Sequence, residues 1–144
     1  MLIGSYYANL GLKRRVAVPK KFLKELGNEL IVAKWYEGCL VIVNKGHWEA
    51  LLKKLTGVAE TITKGVRDTD RFILGSAYEV TADFQGRVVI PASLVAYAKF
   101  GNRLVFIGLG SRVEIWDKEG WEEREKFVSE HASEFIEKLA NDKK

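Results

Sequence analysis

The chain has 144 residues, of which 47% are hydrophobic and 29% are charged, and this balance is typical of a folded globular protein. Its single cysteine excludes an internal disulfide, and its apolar runs are far shorter than the roughly 20 residues of a transmembrane helix. The first residues contain no basic leader of a secretion signal, so we expect a cytoplasmic protein. The net charge of +4 is only modestly basic and says little about the partner by itself.

The second half of the chain repeats the first. Three residues recur at a spacing of 72: Tyr6 and Tyr78, Arg15 and Arg87, and Pro19 and Pro91. The segments that end at the two prolines read Arg-Val-Ala-Val-Pro and Arg-Val-Val-Ile-Pro, and the matches continue as far as Trp48 and Trp121. This order of matches indicates a tandem duplication. We expect four segments: a first unit at 1–55, a connection at 56–72, a second unit at 73–126 and a helical tail at 127–144.

Each unit has the same order of predicted elements. An extended strand, at 6–10 or 78–82, is followed by a turn and by a β-branched run that ends at proline. A short helix comes next, and Gly27 is expected to end it in the first unit. Two further strands follow, and a helix that begins at a tryptophan closes each unit. These further strands are predicted at 29–33, 40–43, 103–107 and 113–116.

The two units are expected to share one core, because a unit of about fifty residues buries too little apolar surface to be stable alone. The predicted fold is therefore mainly β with small helices (α+β), and its two units form a barrel with a pseudo-twofold axis. An amphipathic helix follows, with apolar residues at helical spacing between Val128 and Leu139. This helix is expected to cover either its own barrel or a neighbouring subunit.

The turn of the second unit, Asp83-Phe84-Gln85-Gly86-Arg87, contains the most informative motif. Asp83 can accept hydrogen bonds from the backbone N–H groups of the turn, and Gly86 can adopt a positive φ. Arg87 then begins the return strand, where its guanidinium could bridge O6 and N7 of a guanine in the DNA major groove. The alternative is an ordinary surface ion pair between Asp83 and Arg87, which contributes little.

The turn of the first unit departs from this motif. Gly11 stands at the position of the aspartate, and Arg14 stands at the position of the glycine. A left-handed arginine would cost about 1–2 kcal/mol. We therefore expect the turn to be rebuilt around Gly11, with no carboxylate to oppose its positive charge.

Positive charge is concentrated near the start of the chain. The first 24 residues contain six charged side chains, and all six are basic: Lys13, Arg14, Arg15, Lys20, Lys21 and Lys24. Such a cluster indicates nucleic-acid contact, although a solvated surface is the simpler alternative. The candidate DNA-binding residues are Lys13, Arg14, Arg15, Lys20, Lys21 and Arg87. Because Asp83 and the acidic second half repel phosphate, the first turn is the better candidate for the DNA-facing side.

The duplicated pattern, the opening Gly4-Ser5-Tyr6 and the segment Glu114-Ile115-Trp116-Asp117 resemble the MraZ family of bacterial transcriptional regulators. That resemblance implies two tandem AbrB-like (SpoVT-AbrB) units in a swapped-hairpin-like barrel and a ring-like homo-oligomer. It also implies a nucleoid-associated protein, expected to be a repressor, that binds repeated promoter sites upstream of the division and cell wall gene cluster. The motif residues carry over as Asp83, Gly86 and Arg87, whereas Gly11 departs from the pattern.

The sequence also bears on two other classes of function. No nucleophile is paired with a base, and no nucleotide-binding loop or metal-ligand spacing stands out, so we expect no enzyme, no cofactor and no metal site. The alternative to a regulator is an AbrB-like antitoxin or a protein-binding module without its own operator. The duplication and the helical tail make this alternative less favourable.

Overall fold

The computed structural model describes residues 1–56 and 63–142. Residues 57–62 of the expected connection and residues 143–144 of the expected tail lie outside this part. The described residues form eight strands: β1 (Leu2–Asn9), β2 (Arg15–Ala17), β3 (Glu29–Lys34), β4 (Leu40–Asn44), β5 (Tyr78–Thr81), β6 (Arg87–Val89), β7 (Arg103–Gly110) and β8 (Val113–Asp117). They also form five helices: α1 (Lys20–Leu26), α2 (Trp48–Thr56), α3 (Lys64–Ile73), α4 (Ala92–Ala98) and α5 (Lys118–Asp142).

The short helices α1 and α4 begin and end in equivalent ways. Each begins directly after a proline, whose fixed φ suits the start of a helix. Each ends at a residue with positive φ, which is Gly27 at 77° in the first unit and Lys99 at 54° in the second. The predicted stop at Gly27 is therefore confirmed.

The two units share one antiparallel sheet. The strand order is β1-β7-β8-β4-β3-β5, and it reads the same from the other edge when each strand is exchanged for its counterpart in the other unit. The first strand of each unit pairs with the third strand of the other, because β1 lies beside β7 and β5 lies beside β3. This exchange brings residues of both units into each core cluster of the sheet, so the units share their core, as we expected from their small size.

The expected closed barrel is not formed. The six-stranded sheet stays open, with β1 and β5 at its two edges. Strands β2 and β6 pair only with each other and form a separate two-stranded sheet, which we call the ribbon. With three residues each, these strands do not bridge the edges of the large sheet, so the fold is α+β with an open sheet.

Both faces of the large sheet are covered. Alternate strand residues point to opposite faces, so Leu30 and Val32 lie in one core cluster while Ile31 and Ala33 lie in the other. The first cluster fills the space beneath the ribbon, α1 and α4, and the second packs against α2, α3 and the start of α5. The ribbon and α2 therefore lie on opposite sides of the sheet.

Helix α5 extends well beyond the core. Near its start Trp121 packs on Trp116, with ring centroids 5.4 Å apart. No residue of α5 is buried, and several large apolar side chains beyond Trp121 are exposed: Phe127, Phe135, Ile136 and Leu139. The expected boundary between unit and tail falls inside this unbroken helix. No described helix is both long and apolar enough to cross a membrane.

Candidate nucleic-acid interface

The ribbon brings the two arginines of the repeated motif onto one face. In its register Arg15 lies opposite Val89 and Arg87 lies opposite Ala17. The central pair, Val16 and Val88, points to the opposite side and is buried in the core. The outward face carries Arg15, Ala17, Arg87 and Val89. The two arginines are diagonal neighbours on this face, so their backbone positions are about 7–8 Å apart.

Each end of the ribbon carries one of the repeated turns, which we call tip 1 (residues 11–15) and tip 2 (residues 83–87). The strands are antiparallel, so the tips lie at opposite ends of the ribbon. Each tip is bound to the strand of the other unit. The N–H of Ile90 donates to the carbonyl of Arg14 (2.9 Å), and the N–H of Val18 donates to the carbonyl of Gly86 (3.0 Å).

Tip 2 is organised by a carboxylate. Asp83 Oδ1 accepts hydrogen bonds from the backbone N–H groups of Gln85 and Arg87, both at 2.9 Å. Its Oδ2 accepts a third from Arg87 Nε, also at 2.9 Å. These bonds hold the pKa of Asp83 below its usual value, and the backbone N–H of Arg87 is the largest cause. The contact through Nε orients the guanidinium and leaves its two terminal nitrogens for a ligand.

Tip 1 lacks the carboxylate but keeps two features of tip 2, the hydrogen bond between its first and fifth residues and a left-handed fourth residue. The N–H of Gly11 donates to the carbonyl of Arg15 (2.7 Å), as the N–H of Asp83 donates to the carbonyl of Arg87 (2.9 Å). Arg14 has a φ of 58°, close to the 77° of Gly86, whereas Gly11 is extended at −90°. The turn is rebuilt as expected, but not around Gly11. Lys13 is also left-handed, with a φ of 59°, whereas Gln85 at the same position of tip 2 has no positive φ. The N–H of Arg15 donates to the carbonyl of Leu12, one residue later than the bond from the Gly86 N–H to the Asp83 carbonyl in tip 2. The bond from the Ile90 N–H holds Arg14 in the left-handed region.

The neighbouring side chains are consistent with arginine at the fourth position of tip 1 and glycine at the fourth position of tip 2. A Cβ at Gly86 would lie 2.9 Å from Leu23 Cδ2, so the second tip has no room for a side chain at that position unless Leu23 shifts. The residue at the position of Leu23 in the second unit is Val95, which is smaller. In tip 1 the Arg14 side chain is held in place, because its Nε donates to the carbonyl of Ile90 (2.9 Å).

The basic residues predicted from the sequence lie around the ribbon. Lys13, Arg14 and Arg15 are exposed in tip 1, and the Arg15 side chain has no partner among the described residues. Lys20 and Lys21, at the start of α1, are also exposed. They line a groove with β1 and with Ala17 of the ribbon, and none of the described residues that line it is acidic. The groove therefore adds cations next to the outward face.

Sequence reasoning missed two residues at the tips. Leu12 is 90% exposed and Phe84 is 95% exposed, and the two occupy the second position of their tips. The signal was present in the duplication, because both copies carry a large apolar residue where a turn ordinarily has a polar one.

Groups outside the ribbon offer no reactive centre in the described part of the chain. Cys39 is fully buried, and burial raises the pKa of its thiol far above the usual value. Burial also raises the pKa of Glu114, whose carboxylate accepts a bond from Trp116 Nε1 (3.0 Å). No group of three or more potential ligands that could hold a metal ion is found among residues 1–56 and 63–142.

Comparisons with known proteins identify the chain's relatives. Residues 73–144 match a family model described as "MraZ protein, putative antitoxin-like". A transcriptional regulator MraZ from Clostridium acetobutylicum is 40% identical over 123 residues, which are 85% of this chain and 86% of that protein. A second, from Caldanaerobacter subterraneus, is 38% identical over 141 residues and 98% of both chains. A third, from Pelotomaculum thermopropionicum, is 36% identical over 98% of this chain and 97% of its own length.

Proposed function

Because the chain belongs to the MraZ family, whose members are transcriptional regulators and not enzymes, we propose that it binds duplex DNA sequence-specifically through the ribbon and its tips. The observation that supports this most directly is the outward face of the ribbon, with Arg15 and Arg87 side by side. A two-stranded β-ribbon fits the major groove of B-DNA. The diagonal of about 7–8 Å matches two base-pair steps of about 3.4 Å each.

The two arginines take different shares of the recognition. Arg87 is oriented by Asp83, so its terminal nitrogens are presented as a fork that can bridge O6 and N7 of a guanine. Arg15 has no such partner among the described residues, which leaves its guanidinium available for contact with either a base edge or a phosphate. The surrounding Lys13, Arg14, Lys20 and Lys21 contact phosphates, which position the protein without specifying a sequence.

Useful affinity comes from several copies acting together, because one ribbon reads few bases. The unpaired edges β1 and β5 lie at opposite ends of the sheet, an arrangement suited to head-to-tail pairing, which closes into a ring when the rotation allows. A ring-like homo-oligomer would engage repeated promoter sites. By its resemblance to the family, the protein would bind sites upstream of the division and cell wall genes and repress their transcription. It would act in the cytoplasm, at the nucleoid.

The test is a selection of bound duplexes from a random-sequence pool, followed by a mobility-shift assay on the selected sites. Arg15→Ala should abolish specific retention while the protein stays folded, because the Arg15 side chain has no partner among the described residues. Lys53→Ala is the matched control: it also removes one exposed cation, but on α2, across the sheet from the ribbon. Wild-type retention by the Arg15 variant would refute the assignment of this residue.

A second candidate follows from the description of the family model, which includes the words antitoxin-like. A protein-binding module without its own operator would enrich no sequence from the random pool. Enrichment of a repeated motif by the wild-type protein, and its loss in the Arg15 variant, would favour the regulator over this alternative.

A further inference from the structure

We propose that Leu12 and Phe84 recognise the 5-methyl groups of thymines in the major groove, next to the base pairs contacted by the ribbon arginines. This inference rests on the proposed function, since it needs DNA on the outward face of the ribbon. The observation behind it is exposure. These two side chains are the most exposed large hydrophobic residues in the described part of the chain, at 90% and 95%.

The duplication shows that this apolar character is not incidental. Four residues precede the arginine in each tip, and three of these positions differ in chemical class between the two units: Gly11 and Asp83, Lys13 and Gln85, and Arg14 and Gly86. Only the second position keeps its character, with Leu12 in one unit and Phe84 in the other. A position that stays apolar while its neighbours diverge indicates a shared apolar contact.

In each tip a backbone hydrogen bond of the turn fixes where the apolar residue lies along the chain relative to the arginine three residues later. In tip 1 the N–H of Arg15 donates to the carbonyl of Leu12. In tip 2 the N–H of Gly86 donates to the carbonyl of Asp83 (2.9 Å), which closes the turn around Phe84. Because the backbone of both tips is ordered before DNA binds, less backbone freedom is lost on binding.

The chemistry of the major groove selects the partner. Its floor presents hydrogen-bonding groups and one apolar group, the methyl group of thymine. An anionic membrane surface is the alternative partner for an exposed apolar residue that is surrounded by cations. Such a surface favours tips with a net positive charge. In tip 2 the only basic residue, Arg87, is paired with Asp83 at 2.9 Å, so the charge of this tip is neutralised. A membrane would therefore favour tip 1 alone, although both tips carry the apolar residue. This combination favours DNA as the partner.

The test uses the duplexes recovered from the random-sequence selection and remakes them with deoxyuridine in place of thymidine. Uracil pairs as thymine does but lacks the methyl group. We expect wild-type affinity to fall about fourfold for each recognised methyl group that the duplex no longer carries. Leu12→Ala and Phe84→Ala should weaken binding of the thymine duplex but not of the uracil duplex. Leu139→Ala, at an exposed apolar position of α5, is the control and should leave the difference between duplexes unchanged.

The other outcomes overturn the proposal in distinguishable ways. Equal wild-type affinity for both duplexes, or equal losses on both in the tip variants, would show that no methyl group is recognised. If the wild-type protein binds DNA in either case, the proposed function stands without this inference. If it binds no duplex but binds vesicles of anionic lipid, and Leu12→Ala abolishes that binding, both proposals fall in favour of a membrane partner.

Discussion

Tip 1 and tip 2 share two backbone features but differ at the third residue, where Lys13 is left-handed and Gln85 is not. Both close with a hydrogen bond from the first residue to the fifth, and both carry a left-handed fourth residue. Only tip 2 has the aspartate and the glycine that such a turn favours. The closing bond and the left-handed fourth residue therefore do not require the aspartate, and Asp83 has a different role, which is to orient Arg87.

The two arginines are distinguished most clearly by substitutions that keep the positive charge and remove the bidentate guanidinium. Lysine binds a phosphate as a point charge but does not reproduce a bidentate contact with guanine. Arg87→Lys should weaken binding of a selected site about 10–100-fold, because a bidentate pair with guanine contributes about 1–3 kcal/mol of discrimination. Arg15→Lys should have a much smaller effect. Titration of selected and random duplexes measures both, and equal losses would mean that the two tips read DNA in the same way.

The next largest difference is expected between alanine substitutions of Gly86 and of Gly11. Gly86→Ala places a side chain at a φ of 77° and within 2.9 Å of Leu23, so it should lower the free energy of unfolding by about 1–2 kcal/mol. Leu23→Val in the same chain should restore part of this loss, since valine is smaller and is the residue that the second unit carries at the equivalent position 95. Gly11→Ala is the control, because Gly11 is extended and its Cβ would lie 3.5 Å from the nearest atom. Urea denaturation should show no loss for the control. A loss equal to that of Gly86→Ala would contradict the assignment.

Much of the fold could be predicted because apolar runs and punctuating residues are local signals. The strand at 29–33, for example, is confirmed as β3, whose alternate residues fill two cores. The prediction of a barrel was wrong because a pattern of apolar residues does not determine which strands pair across the two units. The conformation of Arg14 was wrong for a related reason: intrinsic preference disfavours a left-handed arginine, but the N–H of Ile90, in the other unit, holds it there. Exposure of Leu12 and Phe84 depended on the same long-range geometry.

Backbone strain in tip 1 gives a smaller effect. Lys13 has a φ of 59° and an exposed side chain, so Lys13→Gly should raise the free energy of unfolding by about 1 kcal/mol. Arg14→Gly relieves similar strain but loses the bond from Nε to the Ile90 carbonyl, so its net change should be smaller. If Arg14 contacts a phosphate, its loss should also reduce the slope of log affinity against log salt by about 0.9. An unchanged slope would remove Arg14 from the DNA contacts.

The smallest expected effect concerns acid. The pKa of Asp83 is lowered in the folded protein, so its contribution to stability is present above its ordinary pKa of 3.8 and is lost as the pH falls through the lower folded value. Unfolding curves of the wild-type protein and of Asp83→Gly should therefore converge as the medium becomes more acidic than about pH 3.8. Adding Gly11→Asp to Asp83→Gly moves the carboxylate to tip 1, where the extended backbone accepts it. If the acid-dependent difference returns, either tip can form the carboxylate–arginine pair. If it does not return, a carboxylate alone does not organise tip 1, and the left-handed Lys13 is the backbone feature that separates the two tips.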